Sequence, residues 1–363
     1  MMLALARVAR RHCTVMSRRQ SHSPRHAGPL YAALDLGTNN CRLLVAAPAG
    51  DGFRVVDSFN RVVRLGEGLH HTGRIAPAAV ARALAALGEA AEHLARHDLR
   101  ALRAVATEAC RRAGNGGEFL ARARAETGLP LAVISTREEA ELAVESCAPL
   151  LRRAGRRALL FDIGGGSTEL AWVRLPTDGG TPELAGYVSL PIGVVTLAER
   201  CGADCLTETG FDRLVTEVEG LLLPFEATHR IGQEIRQGGV RLMGTSGTVT
   251  TLAGVVLGLA RYRRPLVDGV LLNGEATDAA LDSLCRMGRA GLLRHPCVGP
   301  ERADYVLPGC AIFAAIRRLW PTPQIGVADR GLREGMLLRL IRADRTRPVR
   351  PRRHASHAMA PQP

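Results

Sequence analysis

The chain has 363 residues, of which 46% are hydrophobic, enough apolar material for two ordinary domains of roughly 150 residues each. Every one of the 48 residues counted as lysine or arginine is an arginine, which excludes a Walker lysine, a Schiff base and an amine general base. Six arginines in residues 1–29 and five in residues 345–363, with no acids, carry most of the formal charge of +13. We therefore expect two disordered basic tails, 1–29 and 345–363, and no specific nucleic-acid partner.

Three strands joined by short turns are predicted first, followed by a long alanine-rich helix with proline in its first turn. The strands are Tyr31–Leu36, Cys41–Ala47 and Phe53–Phe59, and the helix runs from about Pro77 to His97. A strand near Ala101–Ala106, a helix near Gly117–Glu126, a short strand Leu131–Ile134 and a helix from about Arg137 follow. The second half repeats the pattern with strands Arg157–Phe161, Leu170–Arg174 and Leu184–Leu190, then helices alternating with strands such as Gly239–Met243 and Gln324–Val327.

Three antiparallel strands followed by alternating helices and strands, occurring twice, predict an α/β protein with two lobes and a cleft between them. This duplication resembles the actin-like phosphotransferase superfamily, whose domains have a ribonuclease H-like fold. The predicted first lobe comprises residues 30–136 with about 320–344, and the second comprises residues 137–319.

Two short glycine turns, each opened by an aspartate at the end of an apolar strand, are the candidate phosphate sites. The first follows Asp35 and contains Gly37, Thr38 and Asn39. The second follows Asp162 and runs Gly164-Gly165-Gly166-Ser167-Thr168. Neither turn has the G-x-G-x-x-G pattern of dinucleotide folds, and a strand rather than a helix is predicted after each. Turns without bulky side chains expose backbone N–H groups beside small hydroxyls, a surface that fits phosphate.

Seven short motifs, taken in order along the chain, resemble the exopolyphosphatase and guanosine pentaphosphate phosphohydrolase family over about residues 30–340. They are Leu34-Asp35-Leu36-Gly37-Thr38-Asn39, Ala106-Thr107 with Arg111 and Asn115, Ile134-Ser135 with Glu138-Glu139-Ala140, Asp162-Ile163-Gly164-Gly165-Gly166-Ser167-Thr168-Glu169, Gly244-Thr245-Ser246-Gly247-Thr248, Glu301-Arg302-Ala303-Asp304 and Leu332-Arg333-Glu334-Gly335. The resemblance implies hydrolysis of the terminal phosphate of inorganic polyphosphate, or of the 5′ γ-phosphate of guanosine pentaphosphate (pppGpp). Longer family members append a helical domain, so we expect a short two-domain form that acts on shorter polyphosphate. Members of the family often form homodimers.

The catalytic base that the resemblance implies is Glu139, at the start of the helix entering the second lobe. Glu138 is the second choice, and the alternative for both is stabilisation of the helix N-terminus through its dipole. The chain departs from the family pattern here, with Thr136-Arg137 where a glycine and often an acidic residue stand. Phosphoryl transfer to water needs such a positioned base together with neutralised phosphate oxygens.

Because the phosphate oxygens must be neutralised, further phosphate-binding residues are expected. Arg111 is predicted to bind phosphate through its guanidinium. Ser246 and Gly247 begin a third strand–turn–helix element that faces the nucleotide or distal phosphates in the superfamily, with a plain helix cap as the alternative. The Leu332-Arg333-Glu334-Gly335 motif is interpreted as structural, part of a closing helix that returns to the first lobe.

A Mg²⁺ ion is the expected cofactor, since this ion prefers a few carboxylates together with phosphate. Its predicted ligands, directly or through water, are Asp35, Asp162 and Glu169.

Four functions are open at this point. Exopolyphosphatase is favoured over pppGpp 5′-phosphohydrolase, followed by a non-catalytic phosphate or nucleotide sensor and by a sugar-type kinase of the same superfamily. Nine cysteines without a repeated pair spacing indicate a reducing compartment, and no stretch of about 18 apolar residues without charge occurs. We therefore expect a cytoplasmic protein without a membrane span.

Overall fold

The computed structural model describes residues 28–151, 155–177 and 180–346. Apart from their inner ends, the predicted basic tails, 1–29 and 345–363, lie outside this part of the chain, and their disorder stays a prediction. None of the helices in the described ranges is both long and apolar enough to cross a membrane.

The first sheet contains five strands, β1 Leu30–Leu36, β2 Asn40–Ala49, β3 Gly52–Val62, β4 Leu99–Ala106 and β5 Ala132–Val133. Their order is β3-β2-β1-β4-β5. Strands β1 to β3 form an antiparallel meander, while β4 and β5 run parallel to β1 on its other side. The helices of this half are α1 Leu69–Thr72, α2 Pro77–Leu94, α3 Glu108–Arg112 and α4 Gly116–Thr127.

Helix α5, Thr136–Leu151, leads into a second sheet of six strands. The strands are β6 Arg157–Ile163, β7 Thr168–Arg174, β8 Glu183–Leu190, β9 Val240–Thr245, β10 Leu271–Asn273 and β11 Gln324–Ala328. The helices are α6 Val194–Cys201, α7 Glu208–His229, α8 Ile231–Gln237, α9 Ser246–Val256, α10 Arg264–Val267, α11 Gly274–Arg286, α12 Gly288–Arg294, α13 Val306–Leu319 and α14 Leu332–Arg345, with a 3₁₀ turn at Gly202–Leu206.

The second sheet repeats the topology of the first. Its order is β10-β11-β9-β6-β7-β8, in which β6 to β8 form an antiparallel meander and β9 and β11 extend the sheet in parallel from β6. Only the edge strand β10, which pairs antiparallel with β11, has no counterpart in the first sheet. The predicted fold class, two actin-like α/β domains with a ribonuclease H-like topology, is confirmed. The predicted strands start and end within three residues of the observed ones.

Strand β1 is apolar along most of its length because both of its faces are buried. Side chains alternate between the faces of a strand, so Ala32 and Leu34 join the core cluster that contains residues of α2 and α4. Tyr31 and Ala33 join the cluster on the opposite face, with residues of α5 and α14. This double burial fixes the end of β1, and therefore the turn that follows it.

Helix α14 returns the chain to the first lobe, as predicted for the closing helix. Its residues Met336 and Leu337 belong to the core cluster that also contains Tyr31 of β1. Gly335 permits a close crossing with α5, because a β-carbon there would lie 2.2 Å from the carbonyl oxygen of Leu142. The return comes later than the predicted boundary at about residue 320, because β11 still pairs with β9 and β10 of the second sheet.

Candidate active site

The two glycine turns meet at the floor of the cleft between the sheets. Each turn is closed by a backbone hydrogen bond that its first glycine donates. This bond is 2.9 Å long for Gly37 and 3.0 Å long for Gly164. The turns are in contact, since a β-carbon placed on Gly165 would lie 3.2 Å from Cβ of Thr38. The geometry therefore brings together two phosphate-binding candidates that are far apart in the sequence.

A cavity of about 440 Å³ lies over the joined turns. All but two of the predicted site residues line it, namely Asp35, Gly37, Thr38, Asn39, Glu139, Asp162, Gly164, Gly165, Gly166, Ser167, Glu169, Ser246 and Gly247. The two predicted residues that do not line the cavity are Thr168 and Arg111.

Thr168 faces the protein interior. Its neighbours Ser167 and Glu169 line the cavity, and side chains alternate along a strand, so Thr168 lies on the opposite side of β7. Its hydroxyl donates a hydrogen bond of 2.8 Å to the carbonyl oxygen of Ile192. The hydroxyl therefore points away from the cavity in which the phosphate contact was predicted.

Arg111 lies behind Glu139 instead of in the cavity. Both terminal nitrogens of its guanidinium lie 3.2 Å from Oε2 of Glu139. The same guanidinium donates to the Glu108 carboxylate at 2.6 Å and to the carbonyl oxygen of Ile134 at 2.8 Å. With its donors engaged in this way, Arg111 orients the predicted base and is directed at protein partners instead of into the cavity where the phosphate contact was predicted.

Glu139 and Glu138 face different surroundings, although they are adjacent at the start of α5. Glu139 is 8% exposed and lines the cavity, whereas Glu138 pairs with Arg103 at 3.0 Å outside it. The helix N-terminus is capped separately, because the hydroxyl of Ser135 accepts a hydrogen bond of 3.1 Å from the Glu138 N–H. Of the two glutamates, only Glu139 has access to a substrate on the turns.

Four carboxyl groups of the cavity have raised pKa values. Burial, followed by the charge of Glu169, raises the pKa of Glu139 well above its ordinary value, and Arg111 opposes that rise. Burial raises the pKa of Glu169 to about 7 and that of Asp162 to about 6. Burial also raises the pKa of Asp35, which the arginines nearby partly offset. A cavity with this set of acids stabilises an added positive charge.

The oxygen ligands of the cavity fit a divalent cation whose other ligands are water and substrate. Oδ1 of Asp35 and Oδ1 of Asn39 are buried, and neither has a hydrogen-bond partner among the described residues. That part of the chain contains no group of three or more His, Cys, Asp or Glu side chains that could hold a metal. Mg²⁺ matches this pattern because it usually retains several waters and binds through one or two carboxylates plus phosphate.

Four arginines that line the cavity were not among the predicted site residues, namely Arg42, Arg302, Arg330 and Arg333. Arg42 could have been found, because a four-residue hairpin turn at Gly37 places it directly across from Asp35. Arg302 and Arg333 lie within two of the seven motifs, but a linear motif does not show which side chains reach the cleft. Two tyrosines, Tyr262 and Tyr305, also line the cavity and carried no sequence signal.

Two lobes of one topology, which present paired glycine turns to a shared cavity of acids and arginines, define a phosphate-handling protein of the actin-like class. A sequence profile of the Ppx/GppA phosphatase family matches residues 44–343. The chain belongs to that family, and it is therefore a phosphohydrolase by family.

Solved structures of similar proteins extend over nearly the whole described fold. An exopolyphosphatase-like protein is 31% identical, with a TM-score of 0.76 over 86% of this chain and 97% of that one. A Ppx/GppA family member from Aquifex aeolicus is 28% identical, with a TM-score of 0.72 over 87% and 98% of the two chains. An exopolyphosphatase from Cytophaga hutchinsonii is 25% identical, with a TM-score of 0.76 over 86% and 98%.

Proposed function

We propose that the protein is an exopolyphosphatase that hydrolyses the terminal phosphate of inorganic polyphosphate. The observation that carries this proposal is the position of Glu139, a buried carboxylate oriented by Arg111 beside a cavity whose floor consists of two phosphate turns. This arrangement fits the attack of water on a phosphate seated on the turns. A solved relative named as an exopolyphosphatase supports the same function.

In the proposed reaction, the water oxygen forms a bond to the terminal phosphorus while the bond from that phosphorus to the bridging oxygen breaks. Glu139 accepts a proton from the water, and the polyphosphate shortened by one unit leaves with the electron pair on its terminal oxygen. N–H groups of the turns and the cavity arginines stabilise the charge on the phosphate oxygens. Arg111 favours the ionised form of Glu139, which is the form that a base requires.

Mg²⁺ is the proposed cofactor. Asp35, Asp162 and Glu169 would hold it, directly or through water, and when bound it would neutralise charge on the phosphate oxygens. The unpaired oxygen of Asp35 and the raised pKa values of the other two acids are the features that support this choice.

Polyphosphate is the preferred substrate because it carries charge on every unit, and four arginines line the cavity. A second candidate function is pppGpp 5′-phosphohydrolase. It is favoured by Tyr262 and Tyr305, which line the same cavity and offer aromatic faces on which a guanine base can stack.

The test is phosphate release with Mg²⁺ from polyphosphate and from pppGpp at equal concentrations of terminal phosphate. Glu139→Gln keeps the shape of the side chain but cannot accept the proton, so we expect kcat to fall by on the order of 10²–10⁴. Glu138→Gln is the matched control, because its carboxylate pairs with Arg103 outside the cavity, and its rate should stay near that of the wild type.

A Glu139→Gln rate within fivefold of the wild type would remove Glu139 from the base role. Faster release from pppGpp than from polyphosphate would favour the second candidate. Binding of both compounds without any turnover would instead identify a sensor.

A further inference from the structure

Arg333 differs from Arg302 and Arg330, two other arginines of the cavity, in having almost no partner. Arg330 forms an ion pair of 2.9 Å with Asp268, and Arg302 donates a hydrogen bond of 2.8 Å to a threonine hydroxyl. Within the described parts of the chain, the Arg333 side chain makes no hydrogen bond, and its one ion-pair contact is at 4.0 Å, to Glu334. Its five N–H donors are therefore available to a ligand.

Glu334 forms no hydrogen bond with Arg333, because other donors already engage both of its oxygens. Oε1 accepts a hydrogen bond of 3.2 Å from Arg264, and Oε2 accepts one of 2.9 Å from the Gly331 N–H. Glu334 is only 3% exposed, and its nearest oxygen lies 4.0 Å from the Arg333 guanidinium, beyond hydrogen-bond distance. The carboxylate is thus committed to fixing the start of α14, and the positive charge of Arg333 remains.

This charge is largely withdrawn from water. The Arg333 side chain is 19% exposed, and it lines the cavity together with Asp35 and Arg42. Burial lowers the pKa of Arg333, and Arg42 adds to that effect, while Glu334 and Asp35 oppose it. A buried guanidinium without a hydrogen-bonded anion is costly, and the fold keeps this one facing the cavity beside a second arginine.

We propose that Arg333 is a substrate-binding residue that holds a phosphate group of the substrate beside the first glycine turn. The proposal rests on the proposed polyphosphate-hydrolysing function and assigns a role to a motif that was interpreted as structural. A planar guanidinium can donate two parallel hydrogen bonds to one phosphate, which an ammonium cannot reproduce. Arg333 therefore contributes to phosphate affinity, and the closing helix α14 contributes a side chain to the site.

The test is binding of methylenediphosphonate, a diphosphate analogue that is not hydrolysed, measured by titration calorimetry with Mg²⁺. Hydrogen bonds to charged groups are worth about 1.5–3 kcal/mol, so Arg333→Gln should weaken binding roughly 10–100-fold. Arg333→Lys keeps the charge without the bidentate geometry and should give a smaller loss, at least threefold. The control is Arg342→Gln on the same helix, which is 57% exposed, 3.7 Å from Glu145, and should bind within twofold of the wild type.

Binding by Arg333→Gln within twofold of the wild type overturns the proposal, whatever the wild type hydrolyses. If Arg333→Gln does not fold, as judged by its melting curve, Arg333→Lys decides, and wild-type binding by that variant overturns the proposal. Weakened analogue binding in an enzyme that releases no phosphate from polyphosphate would keep the Arg333 site and reject the exopolyphosphatase. In steady-state hydrolysis, Arg333→Gln should raise KM by a similar factor and change kcat by less than about threefold.

Discussion

The two phosphate turns have the same hairpin register and different charge. In the first hairpin, Asp35 pairs across the strands with Arg42, and in the second, Asp162 pairs with Glu169 at the equivalent position. The first pair is balanced, whereas the second is a pair of acids with pKa values raised to about 6 and about 7. One position in a duplicated hairpin thus makes one turn suited to an anion and the other suited to a cation. A phosphoryl group bound between the turns needs both the turn suited to an anion and the turn suited to a cation.

The largest expected effect comes from removing one acid of the second hairpin. Glu169→Gln should lower the rate of phosphate release by on the order of 10²-fold and raise the Mg²⁺ concentration needed for half-maximal activity, because a carboxylate is lost from the cation side. Phosphate release over a Mg²⁺ titration measures both. Glu183→Gln, on the neighbouring strand and 65% exposed, is the control. An unchanged Mg²⁺ curve for Glu169→Gln would mean that the second turn does not serve a cation.

The same acid pair should make stability depend on pH. The pKa of Glu169 in the folded protein is about 7, above its ordinary value of 4.5, so between these values the folded state binds more protons than the unfolded state. The free energy of unfolding should therefore fall as pH rises through this window, by about 3 kcal/mol at about 1.4 kcal/mol per pH unit. Urea denaturation in EDTA at pH 5 and pH 8 measures the fall.

In Glu169→Gln, the fall should be smaller by the share of Glu169, while Asp162 and Glu139, whose pKa values are also raised, keep the rest. Mg²⁺ at pH 8 should restore stability to the wild type, because it binds the ionised form. Equal pH dependence in the two proteins would contradict the raised pKa.

The third change gives the first hairpin a pair of acids like that of the second hairpin. Arg42→Glu would place an acid opposite Asp35, and we expect KM for polyphosphate to rise about 10–30-fold, since a charge-assisted phosphate contact becomes a repulsion. Arg42→Lys retains the charge and should lose much less. Steady-state kinetics at fixed ionic strength test this, and an unchanged KM for Arg42→Glu would show that the charge of the first turn does not matter for binding.

The smallest effect is expected from a change at Arg111, which lies behind the predicted base Glu139. Arg111 lowers the pKa of Glu139, so Arg111→Met should raise that pKa and move the acidic limb of the kcat profile to higher pH. Activity should fall most below the new pKa and recover at higher pH. Arg112→Met, whose guanidinium is 3.7 Å from Glu108, is the control. A uniform loss at every pH would instead indicate that Arg111 acts through folding or phosphate binding.

The strands, both glycine turns and the duplication are predictable because their signals are local. Apolar runs mark strands that are buried on both faces, and glycines after an aspartate mark the turns. Glu139 was located only through the family resemblance, since a glutamate near a helix N-terminus has a common structural explanation.

Contacts between residues that are far apart in the sequence were not predictable. Arg111 contacts a residue 28 positions away, so its guanidinium is used before any phosphate arrives. Thr168 was misplaced because the glycine motif was considered as a loop, whereas its last residues already belong to β7 and alternate in direction. The return to the first lobe was placed early because the pairing of β11 depends on long-range contacts.

The polypeptide passes between the lobes at two places, before α5 and between β11 and α14. A cavity side chain follows each passage almost at once, Glu139 after the first and Arg333 after the second. If the lobes rotate about these two connections as about a hinge, the cleft between them opens without unfolding either glycine turn, and orthophosphate can leave. The same rotation would change the distance from Glu139 and Arg333 to the turns, so hydrolysis and product release would then take place in different arrangements of the lobes.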